Sequence, residues 1–159
     1  MSKNQWGSAL TDVNTVRTDT NGAKREINGK EYRYCRAGNA FAKGAPVSAY
    51  APTDGTFSDS KQLKVTDSAT VAYSAKFLGI AISAGSTSQY CWIQTGGVND
   101  YATTDGSVAD GDLLIKDQAT DGMIDTMTNT GTQAGMVIGT ALAADSGSVC
   151  PSVLLYGRM

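Results

Sequence analysis

Histidine is absent from the chain. That removes the Ser-His-Asp and Cys-His nucleophile arrangements and the common zinc sites together. Cysteine is scarce: Cys35, Cys91 and Cys150 are too few and too widely spaced for a disulfide framework, and no Cys-x-x-Cys pair offers a cysteine-only zinc site. Glutamate occurs only as Glu26 and Glu31, both near the start, and aromatic residues make up 8%, a thin supply for the carboxylate pair and sugar cleft of a glycosidase. No phosphate loop, dinucleotide fingerprint or Gly-x-Ser-x-Gly elbow is present. Ser58-Asp-Ser-Lys61 fits Ser-x-x-Lys but lacks its Ser-Asp-Asn and Lys-Thr-Gly companions, so it reads as a solvated loop. No apolar run approaches the ~18 residues of a membrane span, and the polar start lacks the apolar segment of a signal peptide. Synthesis and maturation in a reducing cytoplasm are expected, with Cys91 and Cys150, at near-equivalent repeat positions, as buried small hydrophobes.

Charge is also sparse, at 18% of residues, and unevenly placed. Residues 1–36 carry seven Lys/Arg against four Asp/Glu, whereas residues 37–159 carry six against eleven. A basic leader on an acidic body fits an arm that docks on an acidic neighbour, and it equally fits a solvated terminus. Neither half has the dense Lys/Arg patch of a nucleic-acid binder.

What the chain does have is a repeat. Gly79, Ala81, Ala84 and Ser88 are matched by Gly139, Ala141, Ala144 and Ser148, each 60 residues on. Gly44 and Thr53-Asp54-Gly55 are matched by Gly111 and Thr120-Asp121-Gly122, each 67 residues on, which implies one 7-residue indel in the first copy's loop. A constant offset over several Gly and Ala positions points to an internal duplication. With 159 residues, enough for one domain, the two copies are expected to share a core.

The elements read as strands. Lys30 to Arg36 alternates, with Tyr32 and Tyr34 on one face, and is expected to be the first strand. Ala45 to Ala51, Gln62 to Val65, Thr70 to Ile82 and Gln89 to Thr95 follow, with a bulge or close backbone approach at Gly79. Ser68 to Lys76 is the best short-helix candidate, although strand is preferred there. In the second copy Leu113 to Lys116, Met123 to Met127, Gln133 to Ala143 and Val149 to Tyr156 repeat the plan. Four Asp-Gly pairs, with Asn21-Gly22 and Asn28-Gly29, supply turns. The expected fold is all-β: a compact β-barrel or sandwich built from two duplicated β units, with an extended N-terminal arm over residues 1–28. Repeat one spans about 37–97, a linker 98–109, and repeat two about 110–159.

Candidate chemistry is thin. Asp105, Asp110 and Asp112 cluster between the copies, but their spacing fits no calcium loop, and turn-forming aspartates are the simpler reading. Tyr90 and Trp92 on one strand, with Tyr156 near the equivalent place in copy two, offer an aromatic surface for sugar or base stacking; core packing is the competing reading. No catalytic, cofactor-binding or metal-ligating residue emerges, and the expectation is a non-enzymatic binding protein.

The order Gly29-Lys-Glu-Tyr-Arg-Tyr, Ala40-Phe-Ala-Lys-Gly44-Ala-Pro-Val, a Thr-Asp-Gly turn and Leu78-Gly-Ile-Ala-Ile-Ser-Ala-Gly resembles the head decoration (cement) proteins of tailed bacteriophages. The resemblance covers most of residues 29–157 and consists of general β-repeat signatures. It implies a homo-oligomer, commonly a trimer, on the exterior of the virion capsid, bound to the major capsid protein and stabilising its lattice, without nucleic acid, membrane or cofactor. By position, residues 1–28 would be the capsid-binding arm, with Trp6, Arg17, Lys24 and Arg25 contributing. A receptor- or glycan-binding module of a virion fibre or tail is the alternative.

Overall fold

A computed structural model describes residues 9–50, 63–69, 77–128 and 137–157. Among them every regular element is a strand: β1 (Lys24–Ile27), β2 (Lys30–Ala37), β3 (Pro46–Tyr50), β4 (Lys64–Thr66), β5 (Phe77–Ala81), β6 (Tyr90–Asn99), β7 (Ala102–Thr103), β8 (Leu113–Lys116), β9 (Ile124–Thr126), β10 (Val137–Ala141), β11 (Val149–Cys150) and β12 (Val153–Leu155). The all-β expectation holds, and the sheet closes on itself. β2 pairs with β4 in parallel, β4 with β3, β3 with β5, β5 with β6, and β6 back with β2, which makes a five-stranded ring, barrel one.

Barrel two repeats the order of pairings. Thr104 bridges Ile124 in parallel, β9 pairs with β8, β8 with β10 and β10 with β12. β11, separated from β12 by Pro151 and Ser152, pairs with β7 and closes the ring. The counterparts agree in register along β3–β4, β3–β5 and β5–β6, whereas the closing seam is shifted by one residue: Tyr32 faces Gln94, but its counterpart Asn99 faces Val153 rather than Leu154. Val47 faces Gly79 as Leu114 faces Gly139, each beside a bulge, and Ile80 faces Gln94 as Thr140 faces Leu154. The parallel pair Ala37 and Val65 recurs as Thr104 and Ile124.

These registers refine the alignment of the copies. The offset is 67 at β3/β8, 59 at β4/β9 and 60 at β5/β10, so the indel is eight residues between β3 and β4, with one returned before β5. They also remove the expected linker at 98–109. β6 runs unbroken to Asn99, and its end pairs with β12; with β7 it does for barrel two what β2 does for barrel one. The polar composition of that stretch hides this, because Gln94 and Asn99 satisfy one another: Asn99 Nδ2 donates to Gln94 Oε1 at 3.0 Å, and Gln94 Nε2 donates to the Val98 carbonyl at 2.9 Å.

The repeat glycines are where backbones meet. A Cβ on Gly79 would lie 2.1 Å from the Gln94 carbonyl oxygen, and one on Gly139 would lie 2.3 Å from that of Leu154, so only glycine fits either strand. In the β1–β2 turn, Asn28 and Gly29 both take positive φ, 53° and 72°, as a two-residue hairpin loop requires.

Each barrel has its own aliphatic core, and the sharing expected of the two copies is made by Phe77 and Ile80 alone. Barrel one holds Cys35, Ala37, Phe41, Ala45, Val47, Val65, Ala81, Cys91 and Ile93. Barrel two holds Ala102, Val108, Leu114, Ile124, Ile138, Ala141, Cys150, Val153 and Leu155, completed by Phe77 and Ile80 from the outer face of β5. The bulge at Gly79 turns Phe77 outward along with Ile80, while Leu78 packs inward. Burying these two side chains contributes about 3–6 kcal/mol and welds the barrels together.

Candidate functional site

Three surfaces bear on what the molecule can do. The first is the N-terminal segment, which from residue 9 is laid on barrel one. Asn14 pairs with Tyr90 through two backbone hydrogen bonds. Thr18 donates its amide to the Tyr34 hydroxyl at 3.2 Å, and the two hydroxyls meet at 2.9 Å. Val13 packs on the core of barrel one, and Leu10 and Ala23 pack on Tyr32, Tyr34 and Trp92. Lys24 and Arg25 are therefore not in an arm. They sit in β1, an edge strand hydrogen-bonded along β2, where Lys24 faces Arg33 and Glu26 faces Glu31. β1 escapes sequence reading because four mostly charged residues show no apolar alternation; the Asn28-Gly29 turn before the clear β2 strand is the available signal.

Of the other candidate docking residues, Arg17 and Lys24 are exposed, Arg25 is half-buried, and Trp6 lies outside the described residues. Arg25 is engaged within the chain: its guanidinium carbon stands 4.2 Å over the centre of the Trp92 ring, and it pairs with Asp19 at 3.1 Å. Trp92 itself is 1% exposed, tilted against Tyr34 with ring centres 5.1 Å apart. The aromatic surface expected at Tyr90 and Trp92 is thus covered, with only Tyr90 partly open. The reason is that the segment from Leu10 to Arg25 needs an apolar seat, and this cluster provides it.

The second surface is the joint between barrels, which holds a buried cation. Lys116 is 1% exposed, and its Nζ donates to the Ser68 carbonyl at 2.7 Å, to Ser48 Oγ at 3.2 Å and to the Thr66 carbonyl at 3.4 Å. Burial lowers its pKa to about 8, against the pull of Asp67 and Asp121. Asp67 also accepts from Asn39 Nδ2, and Asp121 accepts the Ala69 amide at 2.6 Å. The sequence places Lys116 at the end of an apolar strand but does not reveal that it crosses to barrel one.

The third surface is apolar and open. Across barrel two's outer face, Thr140 stands opposite both Leu113 and Leu154, and Leu154 stands opposite Val98. Leu113, Leu154, Leu142 and Tyr156 are 41%, 37%, 44% and 42% exposed, and the Tyr156 and Thr140 hydroxyls are hydrogen-bonded. Sequence reading finds Tyr156 only as a partner of Tyr90 and Trp92, because the alternation of β12 does not tell which side is covered.

The remaining reactive groups are put to structural use. Burial raises the Cys35 thiol well above its usual value, with neighbouring Cys91 adding to it, and pushes Cys91 up to about 12; burial raises Cys150 too. All three thiols are free. Asp112 caps its own turn, accepting from the Ala109 amide at 2.8 Å and from Thr126 Oγ1 at 3.0 Å, which is the turn role anticipated for it. Asp125 is raised by burial and then by Asp105 and Asp117. Among the described residues no group of three metal-ligating side chains forms, and no helix is long and apolar enough to cross a membrane.

The fold and these surfaces define a class: a protein of two fused five-stranded barrels that presents covered and open faces. No protein-family model matches the chain, and no curated protein matches it. Among solved structures, the N base of the head fiber gp8.5 of bacteriophage phi29 is similar in fold. It has a TM-score of 0.52 and 12% sequence identity, and the match covers 80% of this chain and 96% of that one.

Proposed function

We propose that the protein is a non-catalytic structural component of a phage virion. On this reading it binds the outer surface of the capsid through the major capsid protein and stabilises the lattice. The observation that carries the reading is the fold similarity to the head-fiber base, which extends over 80% of the chain. The barrels suit that role because their cores are filled with aliphatic side chains and their joint is fixed by Phe77, Ile80 and Lys116, which makes a stiff block rather than a hinged pair. A protein that binds only the assembled lattice stabilises that state by its binding free energy. Exposed Arg17 and Lys24, on the basic N-terminal part, supply cations for an acidic capsid neighbour.

The second reading is a fibre or tail module that binds a receptor or glycan, and the fibre context of the structural neighbour favours it. Symmetry-averaged imaging of virions that carry the chain separates the two. Decoration places it on the capsid exterior at copy numbers near that of the capsid subunit; the fibre reading places a few copies per particle. A position inside the head, or absence from purified particles, overturns both.

A further inference from the structure

We propose that the open apolar face of barrel two, centred on Leu113, Thr140 and Leu154, is where copies of this chain associate. Leu113, Thr140 and Leu154 are the counterparts of Pro46, Ile80 and Gln94 in barrel one, which occupy the same register positions. In barrel one that row is buried, Ile80 at 0% and Gln94 at 2% exposed, because barrel two is packed on it. The chain thus already shows what covers this kind of face: a second barrel of the same construction. In barrel two the counterpart row is left open. It carries no charge of its own, so it offers nothing to an acidic or basic partner, whereas apolar faces of identical copies lose only water when they meet.

The way the copies meet is also constrained. Within the chain, barrel one plugs the end of barrel two with Phe77 and Ile80, and Tyr101 lies against Gly44. Continuing this head to tail would need the corresponding surface of barrel one in the next copy, around Tyr34, the counterpart of Tyr101. That surface is occupied by the chain's own N-terminal segment, with Thr18 on Tyr34 and Val13 on the core. An end cap of this kind blocks an open stack. What is left is a closed assembly in which the barrel-two faces of the copies turn toward a common axis, with Leu142 and Tyr156 at the margin of the contact.

This inference stands on the two repeats and not on the virion reading, so it is tested on the purified full chain. Light scattering and equilibrium sedimentation are expected to give a discrete multiple of 16.5 kDa. The double variant Leu113→Glu with Leu154→Glu should weaken assembly by roughly a hundredfold or more, with the strand spectrum of the monomer retained. Tyr156→Arg, just past the last strand, keeps the backbone bond from the residue 156 amide to the Ile138 carbonyl, gives up only the hydroxyl contact with Thr140, and should weaken assembly. Val16→Glu, at a position in the N-terminal segment that is itself 73% exposed, should leave the mass unchanged. The proposal is overturned if the wild-type chain stays monomeric up to about 1 mM. It is equally overturned if Tyr156→Arg and the double variant both keep the wild-type mass, or if Val16→Glu dissociates the assembly as they do.

Discussion

Gly79→Ala and Gly139→Ala are expected to destabilise the protein by similar and large amounts. The added methyl would lie 2.1 Å from the Gln94 carbonyl oxygen in one barrel and 2.3 Å from the Leu154 carbonyl oxygen in the other. An ordinary carbon-to-oxygen contact begins near ~3.3 Å, so each strand must withdraw by about 1 Å from a partner that is itself fixed by pairing on its far side. Neither obstacle is the end of a flexible side chain, and relief has to come from the ladder. Losing one or two cross-strand hydrogen bonds and loosening the packing beneath them costs about 3–5 kcal/mol, offset by about 0.5–1 kcal/mol from alanine's smaller unfolded-state entropy. At ~2–4 °C per kcal/mol for a chain of this size, each variant should melt roughly 5–15 °C below the wild type. Gly147→Ala is the control. Its φ is +95° with nothing within 4 Å, so only the left-handed backbone penalty of about 1–2 kcal/mol applies. Denaturant titration with a spectroscopic probe measures all three. A Gly79→Ala or Gly139→Ala loss no larger than the control's would refute the close-approach argument, and a difference above about 2 kcal/mol between the two would refute the equivalence of the barrels.

Two further outcomes follow from the site. Lys116 titrates near 8 in the folded protein but near its ordinary 10.5 when unfolded, so below pH 8 the fold carries the full penalty of a buried ammonium. That penalty is relieved as pH rises from about 8 to 10.5, and wild type should gain up to ~3 kcal/mol over this window relative to Lys116→Met, in whose comparison the cysteine titrations cancel; parallel pH profiles would contradict the burial. Tyr34→Phe removes the hydroxyl that Thr18 engages twice, and should cost about 1 kcal/mol and speed proteolytic cleavage between residues 11 and 20, with unchanged cleavage rates counting against the seated N-terminal segment.

How much of the fold is legible in the sequence varies with the kind of signal. β8 is legible with its observed bounds, since Leu113 to Lys116 is a short apolar run between turn residues. β5, β6 and β10 are legible with blurred ends, and Gly79 stands out as a bulge or close approach, which it is. β1 and β7 are not legible: one is dominated by charge and the other has two residues, and both are strands because a neighbouring strand pairs with them. The Asp54-Gly55 turn, the Ser58-to-Lys61 motif and most of the Ser68-to-Lys76 stretch lie outside the described residues.

The sequence by itself determined the repeat, the strand class and the positions that must be glycine, because these depend on side-chain alternation and on whether a Cβ has room. Only tertiary structure decided which faces are covered. Gln94 and Leu154 hold the same place in matching strands, yet the polar side chain is buried and the apolar one meets solvent. Trp92 likewise became a seat for the N-terminal segment rather than an open platform. Burial is a property of what lies opposite a residue, and in a closed barrel its outer neighbours come from parts of the chain that no local pattern connects to it.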